Sequence, residues 1–405
     1  MATRTVRAGE PSGRPVWPMA EAIQPAAVYG FTDPAHLDDR RHADPPLGNY
    51  SRDGMANAAS LERAIADLEG AEGAHATSSG MAALALVFLS FLKAGDEVVI
   101  SPNAYCDTET LLVDELGRYG VRTVFADTGD AAAVARVLGP NTRLIHAESI
   151  VNPSLTLSDL PGLGALAKAH GCLLSVDNTL ATPLLCRPLE HGADLVVHSV
   201  TKFLGGHHDL TAGIICGRQD LLTRLRYTGY LYGPTLNPFA AWLAVRGIKT
   251  LAPRMDWISR TATRVATFLE GHPAVSFVRY PGLPRYGQAA LAARLLPDGA
   301  GGVMLVALNG GPAAAYDLLT NLDLIAYAPS LGGPTTTASY PPITLDRKGP
   351  AIPADRIESK TRSATIRFSI GLEDADDLIA DLAQALDRLP MMAAPAHLIP
   401  TRVAS

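Results

Sequence analysis

No apolar run in this 405-residue chain is long enough to span a bilayer. The most apolar, "MAALALVFLSFL" at 81–92, meets Lys93 after little more than half that length and reads as a buried helix. Aromatic residues make up only 6% of the chain, no basic run is interleaved with them, and the net charge is −6. That combination offers nothing to nucleic acid or to an anionic membrane. The four cysteines, at 106, 172, 186 and 216, lack metal-ligand spacing. No metal is expected, and the thiols read as reduced ones in a cytoplasmic protein. The opening "MATRTVRAGEPSGRPVW" has no apolar core of the secretory type. Nor does any G-x-G-x-x-G follow a strand-like run and open a helix, so a nicotinamide-dinucleotide enzyme drops out of the α/β options.

What is present is a compact composition, 47% apolar and 18% charged, punctuated by 36 Gly and 30 Pro. Residues 1–56 show little periodicity and read as an extended arm. From 57 the pattern becomes regular. "NAASLERAIADLEG" is an amphipathic helix closed by a glycine, and the apolar helix after "SSG" follows it. Short runs then alternate with helical segments: "DEVVIS", "RTVFAD", "TRLIHAES", "CLLSVDN", "ADLVVHS" and "AGIICG". Continuous Val/Ile/Leu strands between helices predict an α/β fold, a mostly parallel central sheet with helices on both faces. After a long helical stretch at 243–272, "GGVMLVAL", "LDLIAYAPS" and "ATIRFSIG" read as strands of a smaller C-terminal α+β domain. The expected division is 57–250 for the larger domain, 251–390 for the smaller and 391–405 for a tail.

Several buried-looking strands end in polar chemistry. Glu148 ends one and Asp177 another, Ser199 and Thr201 lead to Lys202 after a third, and Tyr105 follows the strand at 96–101. A strand-ending Asp alone reads as readily as a helix cap. Four such ends together mark the crevice at the C-terminal edge of a parallel sheet. Their chemistry is complementary. An amine with a depressed pKa forms a Schiff base with an aldehyde. A carboxylate in a dry site keeps a pyridine nitrogen protonated. Hydroxyls and helix-start amides, as in "SSG" at 78–80, suit a phosphate. Together they describe a site for pyridoxal 5′-phosphate.

From about 20 to 390 the chain resembles the pyridoxal-phosphate-dependent enzymes of cysteine and methionine metabolism, such as cystathionine γ-synthase, cystathionine γ-lyase and methionine γ-lyase. The motifs that carry the likeness are "YSRDG", "ATSSGMAA", the run from "SVDNTLATP" to "VVHSVTKFLGGHHDLTAG", "RGIKTLAPRMD", "SLGG" and "IRFSIGLED", in that order. The resemblance implies a type I aminotransferase-like fold and a homotetramer built from two active-site dimers. It implies that Lys202 binds the cofactor aldehyde and then moves protons, that Asp177 pairs with the ring nitrogen, and that Tyr105 stacks on the ring near the leaving group. Gly80, Met81, Ser199 and Thr201 would hold the phosphate, with Tyr50 and Arg52 reaching that of a neighbouring subunit. Arg367, with Ser330 and Asn152, would bind the substrate α-carboxylate. The implied reaction is γ-elimination on an L-amino acid, with γ-replacement or β-elimination as alternatives.

Departures from the family pattern fall on the substrate side. Cys106 and Asp107 stand where small or thiol residues are usual, Pro329 precedes "SLGG", and "GGPTTTASYPP" replaces a dissimilar stretch. Glu148 joins Cys106, Asp107 and Pro329 as candidate specificity positions. Asp107 and the threonine run 335–337 suggest a polar γ substituent, such as a halide, an acyl ester or a sulfonium, in an enzyme of specialised metabolism.

Overall fold

The computed structural model describes residues 1–10, 18–36, 49–340 and 365–389. The expected tail, part of the arm, the segment 341–364 and residue 390 lie outside the described residues.

The six strands predicted for the large domain join one more in a seven-stranded sheet. Its members are β1 (Gly73–Thr77), β2 (Glu97–Ile100), β3 (Arg122–Phe125), β4 (Thr142–Glu148), β5 (Leu173–Asp177), β6 (Leu195–Ser199) and β7 (Gly213–Gly217), in the order β1-β7-β6-β5-β4-β2-β3. β3, β2, β4, β5 and β6 run parallel, and β7 runs against β6 and β1. Strand burial alternates between two cores. Val98, Ile100, Leu144, Leu195, Val197 and Ile215 pack with the helix Gly80–Phe91 on one face. Val99, Ile145, Leu174, Val176, Val196 and Ile214 pack on the other, in the core that takes in Leu61 and Ile65 of the helix Ala56–Glu69. Apolar side chains on both faces are what a parallel sheet between helical layers demands.

β1 was not legible as a strand. "GAHAT" has low β propensity and is recruited by pairing, Ala74 opposite Cys216 and Ala76 opposite Ile214. The helical stretch at 243–272 is two helices, Pro238–Ile248 and Leu251–Glu270. Pro253 sits in the first turn of the second, where its missing N–H leaves no helical bond unmade. The arm is not wholly extended, since Ala2–Val6 is helical and Ser51–Asp53 makes a 3₁₀ turn.

The second sheet has the order β10-β11-β12-β9-β8, from β8 (Val275–Arg279), β9 (Val303–Leu308), β10 (Ala326–Tyr327), β11 (Thr337–Ser339) and β12 (Thr365–Ser369). It packs with the helices Leu251–Glu270 and Ala375–Asp387 around Phe368, Met304, Leu382 and Ala262. The threonine run falls here, and it corrects the expectation of a polar pocket. Thr336 and Thr337 are buried, with Thr337 in β11 opposite Ser369. Thr336 donates its hydroxyl to Glu373 at 2.7 Å and accepts from the Gly371 amide at 2.9 Å. The Thr336 hydroxyl is thus committed within the fold, and Thr335 is exposed.

Arg254, in the helix Leu251–Glu270, ties the turn after β6 to the rest of the molecule. It is 5% exposed and donates to the carbonyls of Phe203 (2.8 Å) and Gly247 (2.8 Å) and to Thr250 (3.0 Å). A Cβ at Gly206, whose φ is +73°, would run into its guanidinium, so the turn needs glycine both for backbone and for space. Burial holds Arg254 down at about 10. Replacing it with Met leaves those carbonyls unpaired. The expected loss is about 3 kcal/mol of stability, read as a lower midpoint in urea unfolding.

Candidate active site

The register of the large sheet brings the polar strand ends together. Glu148 of β4 lies opposite Asp177 of β5, and Asp177 lies opposite Val197 of β6. By alternation Glu148, Asp177 and Ser199 share the face covered by the helix Gly80–Phe91. The distant "SSG" start reaches them there. A Cβ on Gly80 would stand 2.7 Å from Ser199 Cβ and 2.9 Å from its Oγ. Ser79 caps this helix by accepting from the Ala82 amide at 3.0 Å. The amides of Gly80 and Met81 are in the first turn and have no acceptor inside the helix. The result is a cradle of amides and one hydroxyl that only glycine leaves open.

Lys202 follows Ser199 and is half-buried. Its Nζ donates to Ser330 Oγ at 2.6 Å. Burial, helped by the Arg367 guanidinium and opposed by the Asp177 carboxylate, lowers the amine to about 8. Asp177 accepts from the Thr179 amide at 2.9 Å. Burial raises its pKa, and Thr179, His198 and Lys202 oppose the rise. Ser330 has φ +79°, a strained setting for a non-glycine residue and a common one at ligand sites.

From Lys202 a continuous chain of hydrogen bonds crosses the site. Ser330 offers its carbonyl to Arg367 Nη2 at 3.1 Å, and Arg367 Nη1 donates to Asn152 Oδ1 at 2.9 Å. The Asn152 amide donates to Glu148 Oε2 at 2.8 Å, and the Tyr105 amide to Glu148 Oε1 at 2.6 Å. The Tyr105 phenol then donates to Asp107 Oδ2 at 2.7 Å. Burial and Asp177 push Glu148 up to about 8, against the two backbone donors that favour its ionised form. Both Glu148 oxygens are thus engaged by the backbone. Pro329 and Cys106 are exposed at the rim.

The donor set fits pyridoxal phosphate on the geometry alone. An amine with lowered pKa suits the aldehyde, a buried carboxylate suits the ring nitrogen, and a cradle that a Cβ would fill suits the phosphate. The family model described as Cys/Met metabolism PLP-dependent enzyme matches residues 2–387. The chain belongs to this family. It is 39% identical over 377 residues to an L-methionine gamma-lyase of Porphyromonas gingivalis, covering 92% of this chain and 93% of that one. It is 37% identical over 359 residues to a canavanine gamma-lyase of Pseudomonas canavaninivorans, covering 88% of each. The crystal structure of metB from Corynebacterium glutamicum superposes with a TM-score of 0.87 at 34% identity, covering 95% of this chain and 97% of that one.

In this pyridoxal-phosphate enzyme Thr201 is close to the cradle but already engaged. Its hydroxyl donates to the Ala212 carbonyl at 3.2 Å and accepts from the Ala212 amide at 3.1 Å. Arg52 stacks over Tyr230 at 4.5 Å and over Tyr50 at 5.3 Å. Sequence reasoning assigned no role to a buried layer behind the site. His198 Nε2 meets Glu69 Oε1 at 2.6 Å, and Asn178 donates to the same oxygen at 2.9 Å. Adjacency was the only available signal, because His198 precedes Ser199 and Asn178 follows Asp177.

The lowered Lys202 amine has a measurable consequence. Its uncharged fraction rises by about tenfold per pH unit below its pKa. Capture of pyridoxal phosphate by cofactor-free protein should therefore quicken up to a pH of about 8 and then level off. Stopped-flow absorbance reads this directly. A limb at the ordinary lysine value would contradict the assignment.

Proposed function

We propose that the enzyme catalyses γ-elimination on an L-amino acid carrying a polar γ leaving group, releasing a 2-keto acid. When bound, pyridoxal phosphate supplies an aldehyde for the substrate amine and a ring that draws electron density from the substrate carbons. This chain's residues do the rest. Gly80, Met81 and Ser199 hold the phosphate, with Thr201 bracing the turn. Asp177 faces the ring nitrogen and keeps its proton in place. Arg367, oriented by Asn152 and the Ser330 carbonyl, grips the α-carboxylate with its planar fork. Lys202 Nζ takes a proton from Cα, would hand it to the cofactor carbon that carries the substrate nitrogen, and is then free to take one from Cβ, its flexible stem reaching all three. Tyr105 covers the ring and gives its proton to the departing γ atom.

The observation that carries this reading is the unbroken hydrogen-bonded path from Lys202 through Ser330, Arg367 and Asn152 to Glu148 and Tyr105. The proton-moving amine and the carboxylate grip stand one residue apart on it. Asp107 supports a polar leaving group, whereas the threonine run no longer does. Tyr50 and Arg52 serve the neighbouring subunit's phosphate in a tetramer of two active-site dimers, a reading supported by the exposed Tyr227, Tyr230, Leu231 and Tyr232 of one helix, whose Tyr230 lies under Arg52. The cofactor domain runs to 250, the smaller domain follows, and the enzyme works in the cytoplasm with its cysteines as thiols.

The test is mass spectrometry of products from γ-halo, O-acyl, sulfonium and thioether amino acids, with and without added thiol. Elimination gives 2-oxobutanoate without thiol. A thiol adduct in its place would mean γ-replacement, and pyruvate would mean β-elimination. Ready turnover of cystathionine or methionine would remove the polar-substituent part of the reading.

A further inference from the structure

Tyr105 is held at both ends by carboxylates. Its amide donates to Glu148 and its phenol to Asp107, at 2.6 and 2.7 Å. Asp107 lies in the first turn of the short helix Cys106–Thr110, and Tyr105 is the residue before that helix. The pairing is therefore fixed by the local chain path, and the acceptor it gives the phenol can itself take up a proton. Two other ionisable groups are tied to the pair from other elements. Glu148 of β4 accepts from the Tyr105 amide, and Arg367 comes from β12, itself linked through Ser330 to Lys202. Cys106 and the buried Glu109 share the short helix with Asp107, and the Cys106 thiol lies 3.7 Å from Asp107 Oδ1. The Arg367 charge is felt at Tyr105 and Cys106. The helix Gly80–Phe91, packed against this segment, carries no ionisable side chain.

We propose that Asp107 is a proton store for Tyr105, holding the proton removed from the substrate's ammonium group until the leaving group needs it. On arrival, an N–H bond of the ammonium breaks and its proton moves to Tyr105 Oη. The proton already on Oη moves to Asp107. The substrate becomes a neutral amine, Asp107 a neutral acid, and Tyr105 is unchanged. At departure the bond from Cγ to the leaving group breaks, and its electron pair goes with the leaving atom. Tyr105 gives that atom a proton and recovers one from Asp107, which is again a carboxylate. One proton has travelled from the substrate's nitrogen to its leaving group, with no other reactant. Asp107 acts through Tyr105 and is a positioning residue in this scheme, which rests on the role of Tyr105 proposed above.

Asp107→Asn separates storage from mere placement, because the amide oxygen still accepts the phenol hydrogen bond but cannot be protonated. The cofactor-loaded variant is assayed across pH on a thioether and a γ-halide. With either substrate, kcat/KM should fall by about 10²-fold while the substrate arrives as its ammonium, because the amide cannot take the proton that Tyr105 passes on. The deficit should vanish as the substrate ammonium deprotonates in solution, where the store stays empty in both proteins. Near-ultraviolet difference titration of the cofactor-free protein, with Tyr105→Phe as the blank, gives a readout free of turnover. Tyr105 should ionise at lower pH in Asp107→Asn, because an adjacent anion has gone. A loss that does not change with pH, or loss of the bound cofactor's visible band, would make Asp107 structural and overturn the proposal. If Tyr105→Phe is impaired while Asp107→Asn matches the native protein throughout, the store alone fails. If Tyr105→Phe is fully active, the underlying role of Tyr105 fails with it.

Discussion

Replacing Lys202 with alanine is expected to reduce turnover by about 10⁴-fold or more, because one amine serves both as the covalent anchor and as the base. The protein should remain folded, since Nζ makes one described side-chain hydrogen bond, to Ser330. Two readouts separate this from simple loss of cofactor. Borohydride reduction of the loaded native protein should fix the cofactor's mass on the peptide that carries Lys202, and on no other lysine peptide. The alanine variant should take up no fixed mass while still binding pyridoxal phosphate weakly through Gly80, Ser199 and Asp177. An alanine variant that retains native turnover would remove Lys202 from the chemistry altogether.

The second large effect belongs to Arg367. Exchanging it for methionine strands Asn152 Oδ1 and the Ser330 carbonyl and, on the proposed role, removes the α-carboxylate grip. Charge-assisted hydrogen bonds contribute up to about 3 kcal/mol each, so kcat/KM should fall by roughly 10²-fold or more. Most of that loss should appear in KM. Some should reach kcat, because Ser330 also receives the Lys202 amine and loses its anchor. Lysine at 367 is expected to rescue little, for it keeps the charge but not the fork. Steady-state kinetics on one substrate across the three forms reads this. A loss confined to kcat, with KM unchanged, would place Arg367 elsewhere in the reaction.

Much of this arrangement was legible before any coordinates. Lys202 and Asp177 stood out because they end apolar runs that must be buried on both faces, and a charge there needs a reason. The order of the motifs carried the fold. What could not be read was contact between distant segments. Nothing in "SSG" says that Gly80 will come so close to Ser199 that a Cβ cannot fit. β1 was invisible because its side chains are poor strand formers and its stability comes from β7. The threonine run misled for a related reason. Hydroxyls look available in a sequence, but Thr336 is consumed by Glu373 and Gly371 in the segment after β12. Glu148 was noticed as a polar strand end, yet its task as a brace between Tyr105 and Asn152 depends on two backbone amides that no side-chain pattern encodes. Arg254 sat within a quoted motif, and only the turn at Gly206 explains why an arginine is buried there.

In the proposed reaction one amine at Lys202 removes protons from both Cα and Cβ before the γ substituent leaves. Running the reaction in heavy water and following the product by NMR tests it most directly. The account predicts 2-oxobutanoate carrying deuterium at the carbon that was Cβ, formed with the native protein and absent with Lys202→Ala. Formation of 2-oxobutanoate with no deuterium at that carbon, or of pyruvate in its place, would contradict it.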